Sequence, residues 1–410
     1  MKSCIELGAL FNNNKNYAPS VIINNCMVFK VFFSFIFLFL FLPHTAYAIE
    51  HPLSVPNNKV GVHILFPEEV EDAAKLINTN GGDYGYVTIA IQSGDKDLEK
   101  WQSFLDKCKK LHIIPIIRLA TEGNYFNTAV WRKPIDYDIV DFANFFDSLN
   151  WPYKNRYIVV YNEVNRGDEW GGVLDPSEYA RTLSFAVTVF KSKSPDFFMI
   201  SAGLDNASPN AATKYMNQYN YLQQMNRSVP GIFNQIDGLS SHSYPNPGFS
   251  QPPTTNTPMS INSFQYEKAL VRTISSKELP IFITETGWST DVLSDQLAAS
   301  YYTTAFNTTW TDPGVVAVTP FLLQGRGGPF QQFSLLGEGR SFSHQYNAIK
   351  NLKKVKGRPR IAESVLAAKS DNIPPKDKTV IDFSKSEYDN KTATISGELK
   401  TVFKWLLKLN

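Results

Sequence analysis

The chain has 410 residues, of which 43% are hydrophobic, enough for one large core or for a large domain and a small one. Its 40 basic and 38 acidic residues leave a formal net charge of +2, which argues against a nucleic-acid partner. Aromatic residues make up 13% of the chain. Such side chains fill cores, but they also line sites for flat, amphipathic ligands such as sugar rings.

The N-terminal segment 27–48 has the pattern of an export signal. Its apolar run, 31–42, is too short for an ordinary membrane span, and small residues follow it up to Ala48. We therefore predict cleavage after Ala48, giving an exported mature chain with no stable membrane insertion. An uncleaved membrane anchor is the alternative. Residues 1–26 form an unusual leader for such a signal, and Met27 is a candidate for the true start.

From residue 59 onward, short apolar runs recur, and amphipathic stretches separate most of them. Near-continuous apolar runs are typical of parallel strands covered on both faces, whereas the amphipathic stretches predict helices. In chain order, the predicted elements are strand 59–65, helix 67–80, strand 86–91, helix 95–111, strand 113–120, helix 137–150, strand 157–163, helix 175–193, strands 197–204, 236–244 and 279–288, helix 294–309 and strand 315–323.

Eight strands that alternate with helices predict an α/β fold, a TIM (β/α)8 barrel over residues 58–355. A doubly wound open sheet is the alternative, but it usually shows a Gly-rich phosphate turn after an early strand, and the sequence has none. Residues 356–410 are predicted to form a linker and a short C-terminal extension. A loosely packed tail is an equally good interpretation of this last segment.

Two of the predicted strands run directly into a carboxylate. The stretch VVYNEVN, 159–165, passes from apolar residues to Asn162 and Glu163, and the seventh run ends in Glu285. In a TIM barrel the functional residues lie at the C-terminal strand ends, so the two glutamates should face each other across the barrel mouth. Each one alone is typical of a solvated loop acid. Together they favour glycoside hydrolysis, in which one acid protonates the leaving oxygen and the other attacks the anomeric carbon.

Other polar residues lie at the ends of neighbouring runs. Run three ends in Arg118, and run six ends in His242 and Tyr244. An arginine at a strand end predicts a carboxylate partner, whereas the histidine and the tyrosine fit a cap or a core position equally well. Asp95 and Glu122 are alternative acids on neighbouring loops.

Tyr-Asn-Glu at a fourth strand and Thr-Glu-Thr-Gly-Trp at a seventh resemble clan A of the glycoside hydrolases, the retaining (β/α)8 enzymes of family 5 and related families. The resemblance covers roughly residues 58 to 355. It implies that Glu163 is the acid/base, that Glu285 is the nucleophile, and that Asn162 hydrogen-bonds the sugar 2-hydroxyl. It also implies that His242 and Tyr244 form the His-x-Tyr of strand six, with the tyrosine donating to the nucleophile.

The sequence also departs from the clan pattern. Many members have proline after the acid/base, where this chain has Val164, and many have a tryptophan at the end of strand eight, where this chain continues through Leu323. We therefore take Trp170 and Trp288, which follow the two glutamates, as the residues predicted to stack on the sugar. A position in the core of the loop is an equally good interpretation of Trp170.

The predicted reaction is double displacement on a β-linked oligo- or polysaccharide, with Glu285 attacking and Glu163 supplying and then removing a proton. This mechanism needs no metal and no cofactor, and Cys4, Cys26 and Cys108 have no metal-site spacing. A glycan-binding barrel without catalysis and a transglycosylase with the same residues are the alternative functions.

Overall fold

The computed structural model describes residues 49–337, 339 and 341–362. Eight strands lie in these ranges, and each falls within or overlaps a run predicted from the sequence. They are β1 (Gly61–Ile64), β2 (Gly85–Gln92), β3 (Ile113–Ala120), β4 (Arg156–Val159), β5 (Phe197–Ile200), β6 (Leu239–His242), β7 (Ile281–Glu285) and β8 (Val315–Val318).

The helices of the described residues are α1 (Val70–Ile77), α2 (Leu98–Lys110), α3 (Asp136–Ser148), α4 (Pro176–Lys193), α5 (Gln218–Ser228), α6 (Ile232–Gln235), α7 (Ser263–Ile274), α8 (Asp295–Asn307) and α9 (His344–Asn351). The five helices predicted from the sequence are confirmed. The sequence prediction missed α5, α6, α7 and α9. The start of α7 carries no capping side-chain hydrogen bond at Asn262, so the usual local signal of a helix start is weak there.

Two of the predicted helices, α4 and α8, begin where the sequence places them, and each start carries a capping side chain. The Asp175 side chain accepts hydrogen bonds from the backbone N–H groups of Ser177 and Glu178, and Pro176 opens α4. In the same way, the Ser294 hydroxyl accepts from the backbone of Leu297 at the start of α8.

The strands pair in parallel and in chain order. Strands β1 to β5 form one sheet and β6 to β8 form another. Two isolated parallel bridges join these sheets at both seams: Ile200 pairs with Gly238 before β6, and Val60, before β1, pairs with Val318 of β8. The eight strands therefore follow one another around a closed parallel barrel, and the predicted fold class is confirmed.

The barrel interior and the layer between strands and helices form separate apolar clusters. Inside the barrel, rings such as Tyr86, Tyr157, Phe198 and Phe282 pack against one another and fill the lower half. Because large side chains occupy this interior, the barrel is a packed core and not a channel. The open end lies above it, at the C-terminal ends of the strands.

Two predictions concern residues outside this description. The export signal at 27–48 lies outside the described residues, and so does most of the C-terminal extension, from residue 363 onward. Among the described helices, none combines the length and the apolar character that a membrane crossing requires.

Candidate active site

Glu285 reaches the barrel interior because β7 carries one extra residue at its end. Ser241 of β6 pairs with Ile283, but the next residue, His242, pairs with Glu285, so Thr284 has no partner of its own in this register. Thr284 contacts Ser240 inside the barrel, and the following residue would face outward in a regular strand. The bulge turns Glu285 inward, as such irregularities do beside active sites.

Glu163 is placed by an unusual backbone after β4. Both Tyr161, with a φ of 70°, and Glu163, with a φ of 35°, have positive φ values, which side chains with a Cβ seldom adopt. The backbone N–H of Glu163 donates to the carbonyl of Gly203 at 2.9 Å, which ties this turn to the segment that follows β5. Val164, where many clan A members have proline, is fully buried in the core and does not face the substrate side.

The two carboxylates and His242 form one compact cluster. One carboxylate oxygen of Glu163, one of Glu285 and a ring nitrogen of His242 all lie within 4.8 Å of one another. His242 Nδ1 lies 3.0 Å from Glu163 Oε1 and 3.8 Å from Glu285 Oε2. The pairing of the two acids that the sequence predicts is therefore present in the structure.

The surroundings of Glu285 favour its ionised form. Arg118 Nη1 donates to Glu285 Oε1, the Tyr244 hydroxyl donates to Oε2 at 3.0 Å, and His63 Nε2 lies 3.8 Å from Oε1. Burial opposes ionisation, but His242, Arg118, His63 and the Tyr244 hydroxyl outweigh it and lower the pKa of Glu285 to about 2. Glu285 is thus charged at neutral pH.

The surroundings of Glu163 act in the opposite direction. Burial raises the pKa of Glu163 above its ordinary value, and the nearby carboxylate of Asp205 adds to the rise. The hydrogen bond and charge of His242 and the charge of Arg166, whose Nη1 lies 3.6 Å from Glu163 Oε2, only partly offset it. The cluster therefore holds one acid that stays ionised and one that retains a proton more readily, the division that acid–base catalysis needs.

His63 belongs to the site although the sequence analysis did not select it. It lies on β1 and is fully buried, and burial lowers its pKa to about 3, so the ring is neutral at neutral pH. Its ring packs edge-on against Phe321, with centroids 5.1 Å apart. The sequence signal for His63 was a titratable side chain inside the apolar run KVGVHIL. It was overlooked because the run as a whole was interpreted only as a strand.

The same cluster offers three ligand atoms to a metal ion, from Glu163, His242 and Glu285. However, Arg118 already donates to both Glu285 and Asn162, and its guanidinium is permanently charged. A divalent cation placed here would be repelled by this fixed positive charge. The arrangement fits proton transfer and nucleophilic attack better than metal coordination.

A cleft of about 370 Å³ opens above the cluster. Besides Glu163 and Glu285, charged residues of three loops line the cleft. They are Arg132 after β3, Arg166 and Glu169 after β4, and Asp205 after β5. The sequence analysis did not select any of these. The sequence offers no periodic signal for residues on irregular loops, because their side chains follow no strand or helix repeat.

Another part of the cleft is an aromatic wall, formed by Tyr244, Phe249, Phe321, Phe330 and Phe333. Neighbouring rings of this wall pack against one another: the ring centroids of Tyr244 and Phe249 are 5.1 Å apart, and those of Phe321 and Phe330 are 5.2 Å apart. Tyr125 and Trp131 add a second aromatic pair at the mouth, with centroids 5.9 Å apart. These rings, and not tryptophans beside the glutamates, are available to contact a sugar face.

The predicted stacking role of Trp170 and Trp288 is wrong. Both side chains are fully buried and belong to the main hydrophobic core. Trp170 packs edge-on against Tyr179 with centroids 5.6 Å apart, and its indole N–H donates to Glu178. Trp288 packs against Tyr302 at 4.9 Å and donates to the carbonyl of Gln251. Because both rings are fully buried and neither lines the cleft, neither presents a face to it.

The two alternative acids lie away from the catalytic cluster. Asp95 pairs with Lys100, and Glu122 pairs with Arg132. Neither lines the cleft. Of the eight site residues selected from the sequence, the structure thus brings together six: Arg118, Asn162, Glu163, His242, Tyr244 and Glu285.

No family model matches the chain, and it has no match among curated proteins. Among solved structures, the chain is similar to a family 39 β-xylosidase from Caulobacter crescentus, with 14% identity over 75% of this chain and 74% of that one and a TM-score of 0.52. It is also similar to a glucosidase from Croceicoccus marinus, with 11% identity over 74% of this chain and 68% of that one and a TM-score of 0.52.

A family 39 glycoside hydrolase from the gut symbiont Bacteroides cellulosilyticus WH2 is 19% identical over 75% of this chain, with a TM-score of 0.49. The match covers 65% of that protein, slightly less than two thirds. At these identities the similarity concerns the fold. The fold expected from the resemblance to clan A is confirmed by the structures from Caulobacter crescentus and Croceicoccus marinus, both with a TM-score of 0.52.

Proposed function

We propose that this protein is a retaining glycoside hydrolase that cleaves β-linked oligo- or polysaccharides by double displacement. The observation that carries the proposal is the pair Glu163 and Glu285, whose oxygens approach within 4.8 Å at the mouth of a (β/α)8 barrel. Retaining glycosidases hold their two carboxyl groups about 5 to 5.5 Å apart, whereas inverting enzymes need about 6.5 to 9.5 Å to admit a water molecule between acid and sugar.

The opposite protonation preferences of the pair assign the roles. Glu285 is ionised at neutral pH, because its pKa is lowered to about 2, and it is the nucleophile that attacks the anomeric carbon. Glu163, whose pKa burial raises, protonates the leaving oxygen. The C–O bond to the leaving group breaks as the bond to Glu285 forms. Glu163, now ionised, takes a proton from water, and the resulting attack releases the sugar with retained configuration and frees Glu285.

The cleft supports a carbohydrate substrate. Sugar rings have apolar faces, which pack on aromatic side chains, and hydroxyl edges, which need hydrogen-bonding partners. The aromatic wall supplies the first kind of contact, and Asn162 with the charged residues of the β4 and β5 loops supplies the second. We further propose that the mature protein is exported through the signal at 27–48.

The direct test of the proposal is the Glu285→Gln variant. This change keeps the shape of the side chain but removes the nucleophile, so we expect activity on a cleaved β-glycan to fall by at least about 10³-fold. A screen of β-linked polysaccharides for new reducing ends first identifies that glycan. The matched control is Glu99→Gln, on the exposed side of α2, which should leave turnover unchanged.

The Glu163→Ala variant separates the two roles. Without a proton donor, hydrolysis of the natural glycan should fall steeply, whereas a dinitrophenyl glycoside, whose leaving group needs no proton, should still be cleaved at the first step. Proton NMR of the first product that the wild-type enzyme releases from a β-glycan should show the β-anomer. An initial α-anomer, or substantial turnover by a folded Glu285→Gln variant, contradicts the proposed mechanism.

A further inference from the structure

The segment that follows β8 forms a loop, the β8 loop, which leaves the barrel, turns and returns beside itself. The backbone N–H of Leu322 donates to the carbonyl of Phe333 at 3.2 Å, and that of Leu335 donates to the carbonyl of Leu322 at 3.0 Å. The turn between these contacts, residues 325–332, is the tip of the loop, and it carries Phe330 of the aromatic wall. The position of the tip therefore determines where this ring lies in the cleft.

Arg326 connects the tip to the neighbouring side of the barrel seam between β8 and β1. Its Nε and Nη2 donate to Glu69 Oε1 at 3.0 and 2.7 Å. Glu69 ends the short 3-10 helix Pro67–Glu69, which follows β1. The other oxygen, Glu69 Oε2, accepts from the backbone N–H of Leu65 at 3.2 Å, and Leu65 lines the cleft. The two oxygens of this carboxylate thus hold the two sides of the seam together.

The surroundings of this ion pair distinguish it from an ordinary surface pair. The Glu69 side chain is only 5% exposed, and the Arg326 guanidinium lies over the ring of Phe66, 4.1 Å from its centroid. Burial raises the pKa of Glu69, and the charge of Arg326 opposes this rise. Removal of Arg326 would leave a buried acid without its counter-charge, which is more costly than loss of an exposed pair.

The other side of the tip is held by ring packing. A Cβ at Gly328 would lie 2.5 Å from Phe126 Cδ1, so the backbone of the tip lies directly against this ring in the loop after β3. Phe126 also packs against Phe330, with centroids 6.1 Å apart. Apolar packing is non-directional, whereas an arginine–carboxylate contact has a defined geometry. The ion pair is therefore the contact that fixes the placement of the tip.

We propose that Arg326 and Glu69 form a clasp that fixes the tip of the β8 loop and thereby positions Phe330 to bind the sugar chain. Arg326 does not line the cleft, so it is a positioning residue that acts through Phe330. The inference deepens the proposed function, on which the consequence for sugar binding rests. The clasp itself, a contact between two loops, does not depend on that function.

The first test is the Arg326→Met variant, which keeps an unbranched side chain over Phe66 but removes the guanidinium. We expect KM for the glycan found in the screen to rise about 3- to 10-fold with kcat within a factor of about two, because the catalytic pair is not touched. Arg326→Lys keeps a positive charge but not the planar fork, and its KM should lie between the two. The control Arg272→Met removes an exposed ion pair with Glu278, outside the cleft, and should leave KM unchanged.

A double-mutant cycle with Phe330→Ala separates positioning from a general loss of stability. If Arg326 acts through Phe330, Arg326→Met should raise KM much less in the Phe330→Ala background than in the wild type. Equal increases in both backgrounds, or an Arg326→Met variant with the KM of the wild type, overturn the proposal. If melting curves show that Arg326→Met does not fold, Glu69→Gln takes its place in the cycle, since it removes the charge but keeps an oxygen for the N–H of Leu65.

Hydrogen exchange without substrate tests the clasp separately from the proposed function. Within the tip, the N–H of Gly325 donates to Ser334 Oγ at 2.9 Å, and that of Gly328 donates to the carbonyl of Gly325 at 3.0 Å. Opening of the tip breaks such bonds, so mass spectrometry of peptides that cover 325–332 should show amide exchange at least about 5-fold faster in Arg326→Met than in the wild type and in Arg272→Met.

The combined results of exchange and kinetics are decisive. Unchanged exchange in Arg326→Met overturns the clasp. If the wild type cleaves no glycan but exchange becomes faster in Arg326→Met, the proposed function fails while the clasp stands. If glycans are cleaved and exchange becomes faster without a change in KM, the clasp does not serve sugar binding and the proposal fails, whereas the proposed function stands.

Discussion

At the level of single residues, the different proton affinities of Glu163 and Glu285 come from their neighbours. Both are glutamates at strand ends, and both are largely buried. Glu285 receives hydrogen bonds from Arg118 and Tyr244, whereas Glu163 has Asp205 nearby, which disfavours its charge. Because burial acts on both, the balance of the neighbouring charges and hydrogen bonds decides which acid stays ionised.

Tyr244→Phe tests one of these neighbours. The change removes only the hydroxyl that donates to Glu285 Oε2 at 3.0 Å, so the ionised carboxylate loses stabilisation. We expect the pKa of Glu285 to rise and the acid limb of the kcat/KM profile to move to higher pH. We also expect kcat/KM at neutral pH to fall by about 10- to 100-fold, which corresponds to one hydrogen bond to a charged group.

The control for this measurement is Tyr346→Phe, which removes a hydroxyl on α9, outside the cleft. Its pH profile should match that of the wild type. An acid limb unchanged in Tyr244→Phe would mean that the phenol does not stabilise the nucleophile.

At the level of elements, small irregularities determine what the strand ends present. The bulge at the end of β7 turns Glu285 inward, and the positive φ values at Tyr161 and Glu163 redirect the chain after β4. The residue at position 203, shortly after β5, must also stay small, because a Cβ at Gly203 would lie 2.1 Å from His242 Cδ2. These elements place their side chains by departing from regular strand geometry.

Phe330→Ala tests the aromatic wall supplied by the loops after β6 and β8. Phe330 is half-buried in the cleft and packs against Phe321. Its removal takes away apolar contact area for the sugar but leaves the catalytic pair in place. We therefore expect KM to rise about 5- to 30-fold with kcat within a factor of about three, measured on the glycan found in the screen.

Trp288→Phe is the matched test of the corrected assignment. Trp288 is fully buried and donates to the carbonyl of Gln251, so this variant should lower the melting temperature without changing KM. If KM rose in Trp288→Phe and stayed constant in Phe330→Ala, the aromatic wall would not be the sugar-binding surface.

At the level of the whole molecule, closing the barrel buries groups that titrate freely in the unfolded chain. His63 lies inside the barrel mouth with a pKa lowered to about 3 from its ordinary value of 6.5, because burial disfavours the imidazolium. Between these two values the unfolded chain binds the proton and the folded chain does not. The free energy of unfolding therefore falls as the pH decreases from 6.5 toward 3.

His63→Asn removes this contribution. The variant can be less stable than the wild type at pH 7.5, since a buried site is altered, but it should lose less stability on acidification. Urea unfolding at pH 7.5 and pH 4.5 measures how much the free energy of unfolding decreases on acidification. This decrease should be larger in the wild type than in His63→Asn by about 2 kcal/mol. His51→Asn, at an exposed position, is the control and should lose as much as the wild type. Equal losses in His63→Asn and wild type would contradict the assignment.

Most of the fold could be predicted from the sequence, because strand runs and amphipathic helices are local patterns. The eight runs and five helices were predicted this way, whereas α5, α6, α7 and α9 were missed. The site was predictable where strand order determines position: Glu163 and Glu285 follow from the fourth and seventh runs. Trp170 and Trp288 show where prediction from the sequence fails. Proximity in sequence to Glu163 or Glu285 does not determine on which side of a loop a ring packs.

By itself, the sequence determined the alternation of strands and helices and the polar residues at the strand ends, since apolar periodicity and chain order carry that information. Only the tertiary structure decided which acid is charged, that His63 and Glu169 lie at the site, and that Trp170 and Trp288 are buried while other aromatic residues line the cleft. Burial, neighbouring charges and loop packing depend on residues far apart in the chain. Arg118 and Glu285, 167 positions apart, meet only when the barrel closes.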